Sequence, residues 1–160
     1  MIRNSTKAVI IKGDSVLMNK CMHADGKPYY DLPGGGQHEF ETMEDSLRRE
    51  VLEETGYSLR DIRFAALCEE IYTDAYLREK YPDYVHRILH IFVAYVDEAA
   101  QREDAYELDM YSQGPVWVKI GDIDDLDETA PKLLKPMLKT LITSDVPMFL
   151  GTEINDTEIE

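Results

Sequence analysis

Short runs of apolar residues recur along the chain at the length and period of β-strands. A Lys-Gly-Asp turn separates the first two runs, which is typical of a β-hairpin. A short strand is also predicted to enter the glycine triplet at residues 34–36, and the run at 85–96 is apolar enough to be central in a sheet. The pattern predicts strands at residues 6–11, 15–20, 29–36, 62–72, 85–96 and 116–120.

The segment from Thr42 to Gly56 has the periodicity of an amphipathic helix. Thr42 and Asp45, three positions on, form a capping-box pattern, and Gly56 stands where a helix commonly ends. The apolar stripe expected to face the core recurs every four residues, at Met43, Leu47 and Val51.

Helical periodicity returns after the last predicted strand, within residues 123–143. We place the second helix at 130–143, with Pro131 near its first turn and Pro136 expected to kink or divide it. The inward positions are Leu133, Leu134, Met137, Leu138 and Leu141.

Three glutamates of the first helix, Glu50, Glu53 and Glu54, lie on or beside its apolar stripe when the residues advance by about 100° each. An unpaired carboxylate at the inward edge of a helix costs several kcal/mol, and a divalent cation would remove that cost. The alternative is a solvated acidic face, so spacing alone leaves both interpretations open.

The chain has 160 residues, so one domain is expected, at residues 1–150, followed by an acidic surface tail at 151–160. A net charge of −15 argues against nucleic acid or an anionic membrane as a partner, while small phosphorylated ligands remain compatible with it. No apolar run approaches the roughly 18 residues of a membrane span, and the start lacks a signal-peptide layout. The expected location is therefore cytoplasmic.

The stretch from Gly35 to Tyr57 resembles the signature of the Nudix hydrolase family, of the MutT-like kind. That signature is Gly, five residues, Glu, seven residues, Arg-Glu, an aliphatic residue, any residue, Glu-Glu, any residue, Gly and an aliphatic residue. The one departure is Tyr57 in the last aliphatic position, which is a packing site. The matching residues are Gly35, Glu41, Arg49, Glu50, Val51, Glu53, Glu54 and Gly56.

This resemblance implies an α/β fold, an α/β/α sandwich around a curved mixed sheet. It also implies a pyrophosphohydrolase in which Glu50, Glu53 and Glu54 bind Mg²⁺ or Mn²⁺ and activate water. Arg49 would orient a glutamate, and Glu41 would support the junction of loop and helix or touch the metal.

The resemblance further implies ligands outside the helix. The carbonyl of Gly34 or Gly35 would bind metal, and the triplet through Gly36 would cradle substrate phosphate. Lys20 ends the second predicted strand, the position where family members often have a basic residue that contacts substrate phosphate. An ordinary surface lysine would explain Lys20 equally well. A further carboxylate is expected from residues 97–109, and Glu107 is favoured among several candidates.

Substrate choice is expected to depend on the tyrosine-rich connection between the strands at 62–72 and 85–96. Tyr76 and Tyr81 there could stack on a base or sugar, or pack against the body of the protein. We favour a nucleoside triphosphate, because the short chain lacks the extra N-terminal region common in dimeric ADP-ribose enzymes. ADP-ribose or a nucleotide sugar, and a non-catalytic nucleotide sensor, are the alternatives. The oligomeric state is open between monomer and homodimer.

Overall fold

The computed structural model describes residues 1–104 and 106–156. Within these ranges the chain forms eight strands and three α-helices, with a short 3₁₀ helix at Ile120–Asp125. The strands are β1 (Arg3–Lys12), β2 (Ser15–Met22), β3 (Pro28–Asp31), β4 (Leu59–Tyr72), β5 (His86–Val96), β6 (Ser112–Lys119), β7 (Thr129–Ala130) and β8 (Met148–Asn155). The helices are α1 (Met43–Thr55), α2 (Ala75–Lys80) and α3 (Leu134–Thr143).

The strands form one mixed sheet in the order β7-β3-β2-β1-β5-β4-β8, with β6 pairing separately with β2. β1 runs parallel to β5, and β4 runs parallel to β8. The β1–β2 hairpin pairs closely only near its turn, at residues 10–12 and 15–17. The first half of β1 is thus left to pair with another segment on that side.

Two hydrophobic clusters lie on opposite faces of the sheet, and alternation along β1 shows the division. Ala8 and Ile10 belong to the cluster that contains Leu47 and Val51 of α1. Val9 and Ile11 belong to the cluster that contains the leucines of α3. Because successive strand residues point to opposite faces, one strand contributes to both layers. The predicted sandwich of a mixed sheet between two helices is confirmed.

Helix α1 begins and ends where the capping residues predict. The Thr42 side chain accepts a hydrogen bond from the Asp45 N–H at 3.1 Å, and Gly56 adopts the left-handed conformation that ends the helix. The prediction for Met43 is wrong, because its side chain is exposed at the first turn. The buried face of the helix consists of Ser46, Leu47, Val51 and Thr55.

The second long helix is shorter than predicted, since α3 begins at Leu134. The preceding residues form the 3₁₀ helix and β7 instead. Pro136 is the third residue of α3 and does not divide it. The first four N–H groups of a helix have no partner within it, so a proline there removes no hydrogen bond.

The prediction of an acidic surface tail at 151–160 is wrong for residues 151–155. They belong to β8, which extends the sheet by parallel pairing with β4. Glu153 is buried there and accepts a hydrogen bond from the Leu133 N–H at 2.9 Å. Residues 157–160 of the predicted tail lie outside the described residues. In the part of the chain that the structure describes, no helix has the length and apolarity needed to cross a membrane.

Candidate active site

The glycine triplet is fixed against the free half of β1. The Thr6 N–H donates to the Gly35 carbonyl at 2.8 Å, and the Gln37 N–H donates to the Asn4 carbonyl at 3.1 Å. These bonds replace the ladder that β1 does not make with β2 in this region. The turn is therefore held rigidly beside α1, which follows it in the chain.

Two glycines allow close approaches at this turn. A Cβ atom on Gly34, whose φ is +132°, would lie 2.0 Å from the Thr6 carbonyl oxygen. A Cβ atom on Gly35 would lie 2.4 Å from Oε2 of Glu50, so the Glu50 carboxylate rests directly against the Gly35 backbone. The need for backbone approach explains the glycines at this turn.

Glu54 lies one turn further along α1 and is the more deeply placed carboxylate. Its Oε2 accepts hydrogen bonds from the Gly34 N–H and from the Asn19 side-chain amide, both at 2.9 Å. Burial raises the pKa of Glu54 to about 7, although Lys7 and these hydrogen bonds act in the opposite direction. A carboxyl group with this pKa exchanges protons near neutral pH.

Arg49 binds several acceptors around the start of α1. Its guanidinium makes a bidentate pair with Glu41, at 2.7 and 2.9 Å, and also contacts Glu50 at 2.7 Å. It donates to the Gly36 carbonyl at 3.1 Å and reaches the more exposed Glu53 at 3.4 Å. The hydrogen bonds from Arg49, and secondarily a bond from the His38 N–H, lower the pKa of Glu41 to about 2. Arg49 thus joins the loop, the glycine turn and the helix.

A cleft of about 80 Å³ opens beside Glu54. The Glu107 N–H donates to the Glu53 carbonyl at 2.9 Å, which brings the acidic connection after β5 to the C-terminal half of α1. Glu107 and Asp109 both reach this cleft, so the structure brings the favoured loop carboxylate and one competitor to Glu54. The cleft is lined by Asn19, Cys21, Tyr29, Asp31, Glu54, Glu107, Asp109, Tyr111 and Ser112.

An open groove of about 590 Å³ adjoins this cleft, and Asp109 and Tyr111 line both. Tyr81 lines the groove, as do Tyr72, Tyr84 and other residues of the connection. Tyr76 does not line the groove. It projects from α2, half exposed, with the Lys80 ammonium 5.1 Å from its ring centre.

The structure does not bring Lys20 to the site. Asn19 and Cys21 line the cleft, so the intervening Lys20 points to the opposite face of β2. Lys7 of β1 is instead the basic strand residue that lies near Glu54. Its ammonium donates to Asp31 at 3.0 Å and to the Leu32 carbonyl at 2.9 Å.

Lys7, Asn19 and Asp31 were not identified by sequence reasoning. Burial acts to lower the pKa of Lys7, but attraction to Asp31 and Glu54 raises it on balance, so the ammonium stays charged. A partial signal was present, because Lys7 and Asn19 directly border the apolar runs of their strands. A buried polar position in a strand needs a partner, which points to a site at its end.

The donor chemistry of the cleft suits a hard divalent cation. Four carboxylates and one side-chain amide line the cleft, and the buried Oδ1 of that amide, in Asn19, has no hydrogen-bond partner among the described residues. Glu54 also retains a desolvation penalty that a nearby cation would offset. Across residues 1–104 and 106–156, however, no three His, Cys, Asp or Glu side chains converge in a metal-binding arrangement. Arg49 occupies the space between Glu41, Glu50 and Glu53 in this conformation.

Solved structures share this fold over most of the chain. The mutator MutT protein from Bacillus halodurans has a TM-score of 0.68 and 20% identity, covering 99% of this chain and 93% of its own. The MutT Nudix hydrolase from Burkholderia pseudomallei has a TM-score of 0.62 and 22% identity, covering 84% and 95%. An ADP-ribose pyrophosphatase from Streptococcus suis has a TM-score of 0.56 and 18% identity, covering 94% and 98%.

In sequence, no curated protein is similar enough to this chain to count as a match. The NUDIX domain family, by contrast, matches residues 1–141, a span that includes the glycine turn and all of α1. The protein therefore belongs to the Nudix hydrolase family and acts on pyrophosphate bonds.

Proposed function

We propose that this Nudix hydrolase cleaves a diphosphate linkage in a nucleotide, with a nucleoside triphosphate as the favoured substrate. The observation that carries the proposal is the seating of Glu50 and Glu54 against the glycine turn, beside a cleft rich in oxygen donors. A phosphate chain can approach a backbone that has no side chains at this turn. The neighbouring tyrosine-lined groove offers flat rings to a base or sugar.

Glu50, Glu53 and Glu54 would hold Mg²⁺ or Mn²⁺ together with the Gly34 carbonyl. The Gly35 carbonyl is less suited, because it accepts the Thr6 N–H. When bound, a divalent cation neutralises phosphate charge and activates water. Glu54 lines the cleft and would accept a proton where the cation is held by the other two glutamates, and Glu107 is the second candidate in the same cleft.

Arg49 acts on position rather than on substrate, because its donors are directed at Glu41, Glu50 and Gly36. A planar guanidinium that binds two carboxylates and a carbonyl fixes the helix against the turn. Lys7 holds Asp31, which lines the cleft.

Hydrolysis of ADP-ribose is the second candidate function. The groove beside the cleft is open enough for a substrate that continues past its diphosphate, and one structural neighbour is named an ADP-ribose pyrophosphatase. Against it, two of the three neighbours described above carry the MutT name. A panel of the nucleoside triphosphates, ADP-ribose and UDP-glucose with Mg²⁺ separates the two when it is scored both for pyrophosphate release and for formation of nucleoside monophosphate. Hydrolysis of ADP-ribose gives AMP and a sugar phosphate and is detected only by the second readout. Pyrophosphate from a triphosphate supports the first; turnover confined to ADP-ribose supports the second.

Divalent metal is expected to stabilise the folded chain. If binding is confined to the native state, metal at about 100 times its Kd adds about 2.7 kcal/mol. For a domain of this size that corresponds to a rise of about 5–10 °C in Tm. Calorimetry with Mg²⁺, Mn²⁺ or EDTA measures it, with KCl at matched ionic strength as the control for screening of the −15 charge. Equal melting temperatures in all four conditions would contradict the metal site.

Tyr81→Ala is expected to raise KM about 3–10-fold and to change the ranking of bases, because a ring contact contributes about 0.5–1.5 kcal/mol. Tyr76→Ala is the matched control, since that ring lies on the same connection but does not line the groove. Its KM should change less than twofold. Steady-state kinetics across the substrate panel measures both variants. An equal effect of the two substitutions would mean that the groove does not bind the base.

A further inference from the structure

The Arg3 guanidinium packs onto the glycine turn. A Cβ atom on Gly36 would lie 2.1 Å from Nη2 of Arg3 and 2.6 Å from its Cζ. Backbone pairing sets this position, because the Gln37 N–H donates to the Asn4 carbonyl and Ser5 bridges to Gly36. Gly36 thus leaves room for the Arg3 guanidinium, which a side chain at this position would displace.

Arg3 stacks on an aromatic ring rather than pairing with an acid. Its Cζ lies 4.4 Å from the centre of the Tyr84 ring. Although the chain has 32 acidic residues, no carboxylate of the described residues lies within 4.0 Å of its nitrogens. Stacking fixes the plane of the guanidinium and leaves its N–H edge available to an anion.

The surroundings connect Arg3 to the active site from two sides. Gly36 is adjacent to Gly35, and the Glu50 carboxylate packs against the Gly35 backbone. The Cα atoms of adjacent residues are about 3.8 Å apart. Tyr84 also lines the tyrosine groove, so Arg3 lies where that groove meets a second, open one of about 780 Å³. The second groove contains Glu39, Glu41 and Asp83, and Arg3 and His38 are its basic side chains.

We propose that Arg3 is a substrate-binding residue that contacts a phosphate group of the bound nucleotide at the Gly36 side of the turn. This inference rests on the proposed function, because it assumes that the phosphate chain lies along the glycine turn. A planar, permanently charged donor held beside the glutamates can bind phosphate oxygens in a bidentate manner. Its charge would also offset the acidic residues that otherwise repel a polyphosphate from this groove.

The matched control for Arg3 is Arg60. Arg60 is also stacked on a tyrosine, with its Cζ 5.4 Å from the Tyr95 ring centre, but it pairs with Asp61 and lines neither groove. Arg3→Gln and Arg60→Gln remove the same charge, so they separate a local phosphate contact from a change in net charge. Arg3→Lys keeps the charge and loses the planar fork, and it serves also if Arg3→Gln fails to fold.

The test uses inorganic tripolyphosphate with Mg²⁺, titrated by calorimetry into the parent and the three variants. We expect a Kd about 10–100-fold higher for Arg3→Gln, as for loss of a charged hydrogen-bonding pair. Arg3→Lys should lie in between, and Arg60→Gln should remain within about twofold of the parent. With a nucleotide that the parent hydrolyses, Arg3→Gln should raise KM by a larger factor than it lowers kcat.

The outcomes separate this inference from the proposed function. If the parent hydrolyses no nucleotide but tripolyphosphate binding still depends on Arg3, the proposed function fails and the phosphate contact is supported. If the parent is active while Arg3→Gln keeps the parental KM and Kd, the function stands and the inference is overturned. Equal losses in Arg3→Gln and Arg60→Gln would also overturn it, because net charge alone would then explain the effect.

Discussion

Glu54→Gln is expected to lower kcat by about 10²–10⁴-fold while nucleotide affinity changes little, the loss typical of removing a general base or a key electrostatic group. The amide keeps the shape of the side chain, and its oxygen can still accept from the Gly34 N–H and the Asn19 amide. What it lacks is the charge and the ability to take up a proton near neutral pH. Steady-state kinetics with the substrate found in the panel measures both parameters.

The same substitution is expected to stabilise the metal-free protein, and only above about pH 5. The pKa of Glu54 is about 7 in the folded chain and 4.5 as the reference value, so the folded state binds more protons between these values. Parental stability therefore falls as pH rises through this window, by a few kcal/mol in order of magnitude. Glu54→Gln does not titrate and escapes that loss.

Urea melts in EDTA at pH 5 and pH 8 test this, with Glu79→Gln as the control for removing an exposed acid. The stability advantage of Glu54→Gln should appear at pH 8 and be small at pH 5. Parental turnover in Glu54→Gln would remove Glu54 from the chemistry. If the parent turns over no diphosphate compound but still binds a nucleotide, the non-catalytic sensing function would be favoured.

Features of this molecule that depend on local sequence were predictable. The caps at Thr42 and Gly56 were identified because capping involves residues within one turn of the helix. The signature of the family also located Arg49, Glu50 and Glu54 on one helix, because these positions of the signature all fall within α1.

Features that depend on pairing between distant segments were not predictable. Residues 151–155 (GTEIN) contain a single large apolar side chain, and only pairing with β4 makes them a strand. Lys20 was predicted at the site, but its neighbour Asn19 lies there. Successive residues of a strand point to opposite sides, so an error of one residue selects the wrong side chain. The position of Lys7 beside the site could not be predicted, because it depends on the first half of β1 pairing with the glycine turn rather than with β2.

Arg49→Ala is expected to reduce both stability and activity, which distinguishes it from Glu54→Gln. The substitution leaves Glu41 and Glu50, about 15% and 16% exposed, without the guanidinium that binds them. Removing one partner of a largely shielded ion pair leaves an uncompensated charge, and we expect a loss of about 2–3 kcal/mol in this partly solvated setting. Activity should fall as well, because the same guanidinium holds Glu50 and the Gly36 carbonyl in place.

The pH dependence of the loss identifies its cause. The pKa of Glu41 is lowered to about 2 by Arg49 and the His38 N–H, so the stability from this pair is present above about pH 4.5 and disappears as pH falls toward 2. The difference between parent and Arg49→Ala should therefore be largest above pH 5 and shrink in acid. Glu44→Ala is the control on the same helix, since it removes only the exposed pair with Arg48, which should contribute about 1 kcal/mol or less. A constant difference from pH 7 to pH 2 would show that Arg49 acts through packing rather than through the Glu41 pair.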